Sequence, residues 1–136
     1  MPKLKQTIDR LLLVYNANSG KWNAILDGAR KLLAVDGCPL CTLTHGILGE
    51  RPEWRDCKES FGVPVEYVHR DELDESLKGL TAGRLPCVVA RVGTRYELLA
   101  GPEVLERCGR SIAELRGRLV FHAAGKNLEF PKRPGE

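Results

Sequence analysis

The sequence of 136 residues is poor in aromatic side chains and contains no long apolar run. Aromatic residues make up 6% of the chain, and methionine occurs once. No stretch approaches the roughly 18 consecutive apolar residues that a membrane-spanning helix needs. The sequence therefore predicts no membrane span and no membrane partner.

The chain also lacks a strong excess of charge of either sign. Its formal net charge is +3, from 21 Lys and Arg residues against 18 Asp and Glu residues. The basic residues are interleaved with acidic ones, and no basic stripe with aromatic side chains between them appears. We therefore expect no nucleic-acid partner.

The sequence predicts neither a secretory leader nor a disulfide framework. The apolar run in "MPKLKQTIDRLLLVYN" is too short for a signal peptide, and no A-x-A-like cleavage site follows it. The five cysteines are odd in number and unevenly spaced, which is not the pattern of a disulfide scaffold. These features predict a cytoplasmic protein whose thiols are reduced, catalytic or bound to metal.

Apolar patterning predicts an α/β domain. Short apolar or alternating runs predict strands, and apolar residues three and four apart predict amphipathic helices. Strands are expected at 10–15, 63–69, 85–92 and 95–100, and helices at about 22–33, 52–61, 70–80 and 111–119, with a loop or short helix over 38–49. One parallel unit and one antiparallel hairpin would form a mixed four-stranded sheet flanked by helices. We expect a single domain over residues 1–125 and a polar tail over residues 126–136.

The segment "LPCVVARVGTRYELLAGP", followed by a capped helix at Ser111, resembles the C-terminal half of a thioredoxin-like fold. In that family a cis-proline precedes a strand, a glycine turn and a second strand follow, and a helix packs across them. The resemblance covers about residues 10–120 as architecture. It implies that Pro86 is the cis-proline.

Two cysteines in "DGCPLC" form a C-x-x-C pair, Cys38 and Cys41. Such a pair can close a small disulfide ring, and a helix N-terminus beside the first thiol would stabilise its thiolate. The stretch also resembles the start of the DCC-type thiol-disulfide oxidoreductases. The pair predicts thiol-disulfide exchange with a protein thiol or disulfide partner and no cofactor. Cys38 would attack and Cys41 would resolve, while Pro86 would shape the substrate groove and Cys87 would add a third thiol nearby.

The pair does not directly follow the first predicted strand, where thioredoxin-like enzymes carry it. Two arrangements are compatible with this position. The segment can fold back so that the pair faces Pro86 and Cys87. Alternatively, "KLLAV" (31–35) is itself a strand, and Cys38 opens the helix of the site.

A metal site and a structural role are the alternatives to redox chemistry. Cys38, Cys41 and His45 have the spacing C-x2-C-x3-H, and Cys57 or His69 could complete the tetrahedral set that zinc prefers. The chain would then be a non-enzymatic module that binds zinc, a ligand or a partner. Free cysteines are also often simply buried.

A second resemblance lies in the N-terminal half, which is similar to a group of uncharacterised bacterial proteins with the pattern "YNA-x-SG…C-x-LC-x-LT-x-G…W". Its "NSGKW" segment is not a phosphate loop, because Tyr15 stands at the first glycine position and Trp22 at the Ser or Thr position. A polar turn between a strand and a helix can still bind an anion or small ligand. That interpretation makes ligand-binding candidates of four residues, Asn16, Asn18, Ser19 and Gly20, while the alternative is a helix-capping turn.

A polar cluster follows the second predicted strand. His69, Asp71 and Glu72 could form an acid/base group. The alternative is a solvated helix start, where the helix dipole favours acidic residues.

Overall fold

The computed structural model describes residues 6–15, 39–46 and 49–131 of the chain. The predicted helix over 22–33 lies outside these residues. The strands are β1 (Gln6–Thr7), β2 (Arg10–Tyr15), β3 (His45–Gly46), β4 (Gly49–Glu50), β5 (Val65–His69), β6 (Cys87–Val92), β7 (Arg95–Ala100) and β8 (Leu128–Glu129). The helices are α1 (Pro39–Thr44), α2 (Pro52–Ser60), α3 (Glu75–Thr81), α4 (Pro102–Cys108) and α5 (Ile112–Gly125), with a 3-10 turn at Arg70–Glu72.

A mixed four-stranded sheet in the order β5-β2-β6-β7 organises the fold, as the sequence predicted. β2 pairs with β5 in parallel, and their last residues, Tyr15 and His69, are partners in the register. β6 is antiparallel to both β2 and β7, so β6 and β7 form the predicted hairpin. Gly93 in its turn has φ +61°, a conformation that glycine adopts at little cost.

The sheet is covered on both faces, which explains the unbroken apolar run of β2. Side chains alternate along a strand, so Leu11 and Leu13 face one layer while Leu12 and Val14 face the other. The larger core contains side chains from α1, α2, α4 and α5, and the smaller core contains Leu77 of α3. A strand buried on both faces needs apolar residues at consecutive positions.

Local capping chemistry sets the helix boundaries. The Ser111 side chain accepts a hydrogen bond from the Glu114 backbone N–H, as its capping motif predicted, and α5 continues to Gly125. The helix expected at 70–80 begins only at Glu75, because Asp74 caps it by accepting from the Leu77 backbone N–H. α4 was not predicted, although Gly101-Pro102 carries the Pro-at-first-turn signal of a helix start.

The segment expected to be a polar tail contributes to the fold. β8 pairs in parallel with β1, and Leu128 is buried in the larger core. Phe130 packs on Phe61, with ring centroids 4.7 Å apart. Among the helices that the structure describes, none is long and apolar enough to cross a membrane.

Candidate functional site

The C-x-x-C segment meets the described structure at α1. This helix begins at Pro39, the residue after Cys38, and its backbone includes Cys41. The short helix allowed for this region is therefore present, and the hairpin β3–β4 that follows it was not predicted. Cys38 lies outside the described residues, as do Asn16, Asn18, Ser19 and Gly20, and the side chains of Cys41 and His45 are not described. Their proposed roles stay predictions.

Buried contacts hold α1 against the sheet. Leu40 and Leu43 are both fully buried in the larger core. The Tyr15 hydroxyl lies 2.7 Å from Thr44 Oγ1, and both side chains are fully buried. Because Tyr15 ends β2 and Thr44 ends α1, this hydrogen bond brings the helix that contains Cys41 to the carboxyl end of the first central strand.

Aromatic side chains extend this contact along the same face. The ring of Tyr15 lies 6.0 Å from that of Tyr67 and 6.2 Å from that of His69, measured between centroids. Tyr67 accepts a hydrogen bond of 2.9 Å from Trp54 Nε1 and donates one to the Glu50 carboxylate. We call the residues that meet here the carboxyl-edge cluster: Tyr15, Thr44, Glu50, Trp54, Lys58, Tyr67 and His69.

Charge in the carboxyl-edge cluster is balanced. Lys58 Nζ lies 2.7 Å from Glu50 Oε2 and 5.4 Å from the centroid of the Tyr67 ring. Burial lowers the pKa of Lys58, but its bonds to Glu50 and Tyr67 outweigh this and raise the pKa above its usual value. Burial and the Glu50 carboxylate raise the pKa of Tyr67, and burial raises that of Tyr15. The two phenols are therefore neutral hydrogen-bond donors near neutral pH.

No protein-family model, curated protein or solved structure matches this chain significantly. Sequence reasoning missed most of the carboxyl-edge cluster, because Tyr15 and Thr44 are 29 positions apart and Glu50 and Tyr67 are 17 apart. The sequence signals were His69, a candidate acid/base residue, and the pattern of the second resemblance, which includes Tyr15, Thr44 and Trp54.

Pro86 and Cys87 lie at the start of β6. The Leu85–Pro86 peptide bond is cis, at the position where the thioredoxin-like resemblance has a cis-proline. Cys87 is fully buried in the smaller core with Leu12 and Leu77, whereas Leu40 of α1 belongs to the larger core. Burial raises the pKa of the Cys87 thiol to about 12, and Arg84 opposes this only in part. Cys87 is thus a protonated, enclosed thiol at neutral pH.

The His69 cluster adopts the geometry of a capped turn. Glu72 Oε1 accepts a hydrogen bond from the His69 backbone N–H at 2.8 Å and lies 2.6 Å from His69 Nδ1. Asp71 is exposed in the same 3-10 turn. The structure therefore brings His69 and Glu72 together in a capped 3-10 turn after β5, and the predicted helix begins only at Glu75.

Of the candidate zinc ligands, Cys57 and His69 have described side chains, whereas Cys38, Cys41 and His45 do not. Cys57 is buried in α2 within the larger core, and burial raises the pKa of its thiol. Among the side chains that the structure describes, no group of three or more His, Cys, Asp or Glu is placed to hold a metal ion. This absence does not cover Cys38, Cys41 or His45, so the zinc alternative stays a prediction.

Proposed function

We propose that this protein catalyses thiol-disulfide exchange through Cys38 and Cys41 on a thioredoxin-like fold. The observation that carries the proposal is the hydrogen bond between Tyr15 and Thr44. It supports the arrangement in which the segment after β2, the first predicted strand, folds back, because the bond holds α1 at the carboxyl end of β2. Thioredoxin-like enzymes carry their cysteine pair after that strand.

The sheet supports the same proposal. A parallel unit at one edge, β5 and β2, is followed by the antiparallel hairpin β6–β7. The helix α5 packs across this sheet with Leu115 and Leu119 in the larger core. This combination is the one that the thioredoxin-like resemblance implies.

The proposed reaction has two displacement steps. The Cys38 thiolate attacks one sulfur of a substrate disulfide, forming a mixed disulfide and releasing the first substrate thiolate. The Cys41 thiolate then attacks Cys38 Sγ, which closes the intramolecular disulfide and releases the second substrate thiolate. The substrate gains two electrons and two protons, and the protein dithiol loses them. A dithiol donor returns the protein to its reduced form.

Cysteine variants test this proposal in a dithiol-dependent assay of protein disulfide reduction. Cys38→Ser should abolish the activity, and Cys41→Ser should accumulate the mixed disulfide, because its resolving thiol is missing. Cys108→Ala is the matched control. Cys108 is buried in α4, which packs against α1, but its thiol donates to the Val104 carbonyl of its own helix at 3.3 Å, so its loss should leave the rate unchanged.

Two results would contradict the proposal. Retained activity in Cys38→Ser would exclude this cysteine as the attacking group. Native mass spectrometry would favour the metal alternative if the folded protein were heavier than the denatured protein by the mass of one zinc ion.

A further inference from the structure

The hydrogen bond between Tyr15 and Thr44 continues into the C-x-x-C segment. Thr44 Oγ1 also lies 2.9 Å from the backbone carbonyl of Leu40. Leu40 stands between the two cysteines in the order Cys38-Pro39-Leu40-Cys41. The side chain of Tyr15 is therefore connected, through one hydroxyl group, to the backbone that separates the proposed redox thiols.

The direction of these bonds follows from the groups involved. A carbonyl oxygen can only accept, so the bond to Leu40 uses the single hydroxyl proton of Thr44. Tyr15 must then donate to Thr44. Its phenol is suited to this, since it is fully buried among apolar side chains. The result is an ordered chain of donors from Tyr15 to Thr44 to the Leu40 carbonyl.

The other end of the same helix is held by an arginine. Arg51 Nη1 donates to the Leu43 carbonyl at 3.0 Å and to the Arg110 carbonyl at 3.2 Å. α1 has six residues, far fewer than an isolated helix needs for stability in water. Tertiary contacts of this kind must therefore determine where α1 lies and how much it can move.

We propose that Tyr15 is a positioning residue for the C-x-x-C pair, acting through Thr44 to fix the backbone between Cys38 and Cys41. This inference rests on the proposed function. A disulfide forms only within a narrow range of Cα and Cβ separations. Holding the intervening backbone raises the effective concentration of one thiol at the other and so favours the disulfide form.

Removing the Tyr15 hydroxyl should weaken this preference. Tyr15→Phe keeps the ring in the core and removes only the donor, and Thr44→Val keeps the shape of Thr44 and removes both of its bonds. We expect each variant to lower the equilibrium constant for disulfide formation on the order of five-fold, the scale of one buried hydrogen bond. The double variant should lower it no further than Thr44→Val alone, and Thr44→Ser, which keeps the hydroxyl, should stay near the wild-type value.

Thr81 provides a matched control. It is 1% exposed and ends α3, and its hydroxyl donates to the carbonyl four residues earlier, Leu77, at 2.6 Å. Thr81→Val therefore removes the same local bond from a helix that packs in the smaller core, away from α1. This variant should leave the thiol-disulfide equilibrium unchanged.

The experiment equilibrates each full-length variant in glutathione buffers of graded ratio, traps free thiols by alkylation and maps the Cys38–Cys41 disulfide by mass spectrometry. Lower melting temperatures for Tyr15→Phe and Thr44→Val with an unchanged equilibrium constant would overturn the positioning role and leave the proposed function intact. An equal shift in Thr81→Val would also overturn it, by showing a general effect of stability. If wild-type protein forms no Cys38–Cys41 disulfide at any ratio, the proposed function fails, and this inference fails with it.

Discussion

Three cysteines of this chain occupy enclosed positions that suppress thiol chemistry. Cys57, Cys87 and Cys108 are each at most 8% exposed, and burial raises the pKa of all three thiols. Only the thiolate is nucleophilic, so a raised pKa removes reactivity near neutral pH. The proposed thiol-disulfide exchange therefore depends on Cys38 and Cys41.

This contrast predicts the alkylation pattern of the native protein. At about pH 8, iodoacetamide should modify Cys57, Cys87 and Cys108 at least ten-fold more slowly than after denaturation in urea, because they are both protonated and shielded. Peptide mass spectrometry of time points measures each site. Rapid modification of Cys87 in the folded protein would contradict the burial described for it.

Individual residues of the site were only partly predictable. The sequence displays the C-x-x-C spacing directly, since both cysteines are close along the chain. It does not display the pairing of Tyr15 with Thr44, because contacts between distant segments depend on how the sheet and helices are assembled. Tyr67 and Lys58 were missed for the same reason.

At the scale of elements, two glycines have equal space for a side chain but different backbone conformations. Gly93 in the β6–β7 turn has φ +61°, and a Cβ added there would meet nothing within 4 Å. Gly117 lies within α5, also in open space, with ordinary helical backbone. The two residues therefore form a matched pair for alanine substitution.

We expect opposite effects from these two changes. Gly93→Ala should lower the free energy of unfolding by about 1 kcal/mol, because its Cβ strains a left-handed residue. Gly117→Ala should raise it by about 0.5–1 kcal/mol, because alanine reduces the entropy of the unfolded helix segment. Urea denaturation of both variants measures the difference. A stabilising Gly93→Ala would be inconsistent with the turn described here.

Elements with strong local signals were predicted well, and those without were missed. The strands β2, β6 and β7 and the capped start of α5 follow from apolar runs, a glycine turn and the Ser111 motif. β3 and β4 have two residues each, too few for any periodicity, so the hairpin after α1 could not be seen. α3 begins late because Asp74 is its N-cap residue, whereas the leucine spacing alone predicted a helix from residue 70.

For the whole molecule, the buried thiols and phenols predict sensitivity to alkali. The pKa of Cys87 is raised from 9.0 to about 12, so in that interval the unfolded chain loses this proton while the folded chain keeps it. The neutral Cys87 thiol therefore makes its full contribution to the free energy of unfolding below pH 9, and this contribution decreases as the pH rises toward 12. Burial also raises the pKa of Tyr15, which adds to the loss of stability in alkali.

Urea denaturation at pH 8 and near pH 10.5 checks this expectation. The free energy of unfolding should fall by about 2 kcal/mol over this range from Cys87 alone, because the stability falls by about 1.4 kcal/mol for each pH unit above 9.0. Cys87→Ala should be less stable at pH 8 but show a flatter pH dependence. An identical slope in this variant would exclude Cys87 as a source of the effect.

The small parallel sheet of β1 and β8 determines how the protein would resist a pulling force. Gln6 N–H donates to the Asn127 carbonyl and Ile8 N–H donates to the Glu129 carbonyl, each at 2.8 Å. In a parallel pair, force applied before one strand and after the other acts along the strands and loads both bonds together. Pulling the chain from a point before β1 and a point after β8 would therefore break both hydrogen bonds together. The four-stranded sheet would carry no force until β1 and β8 had separated.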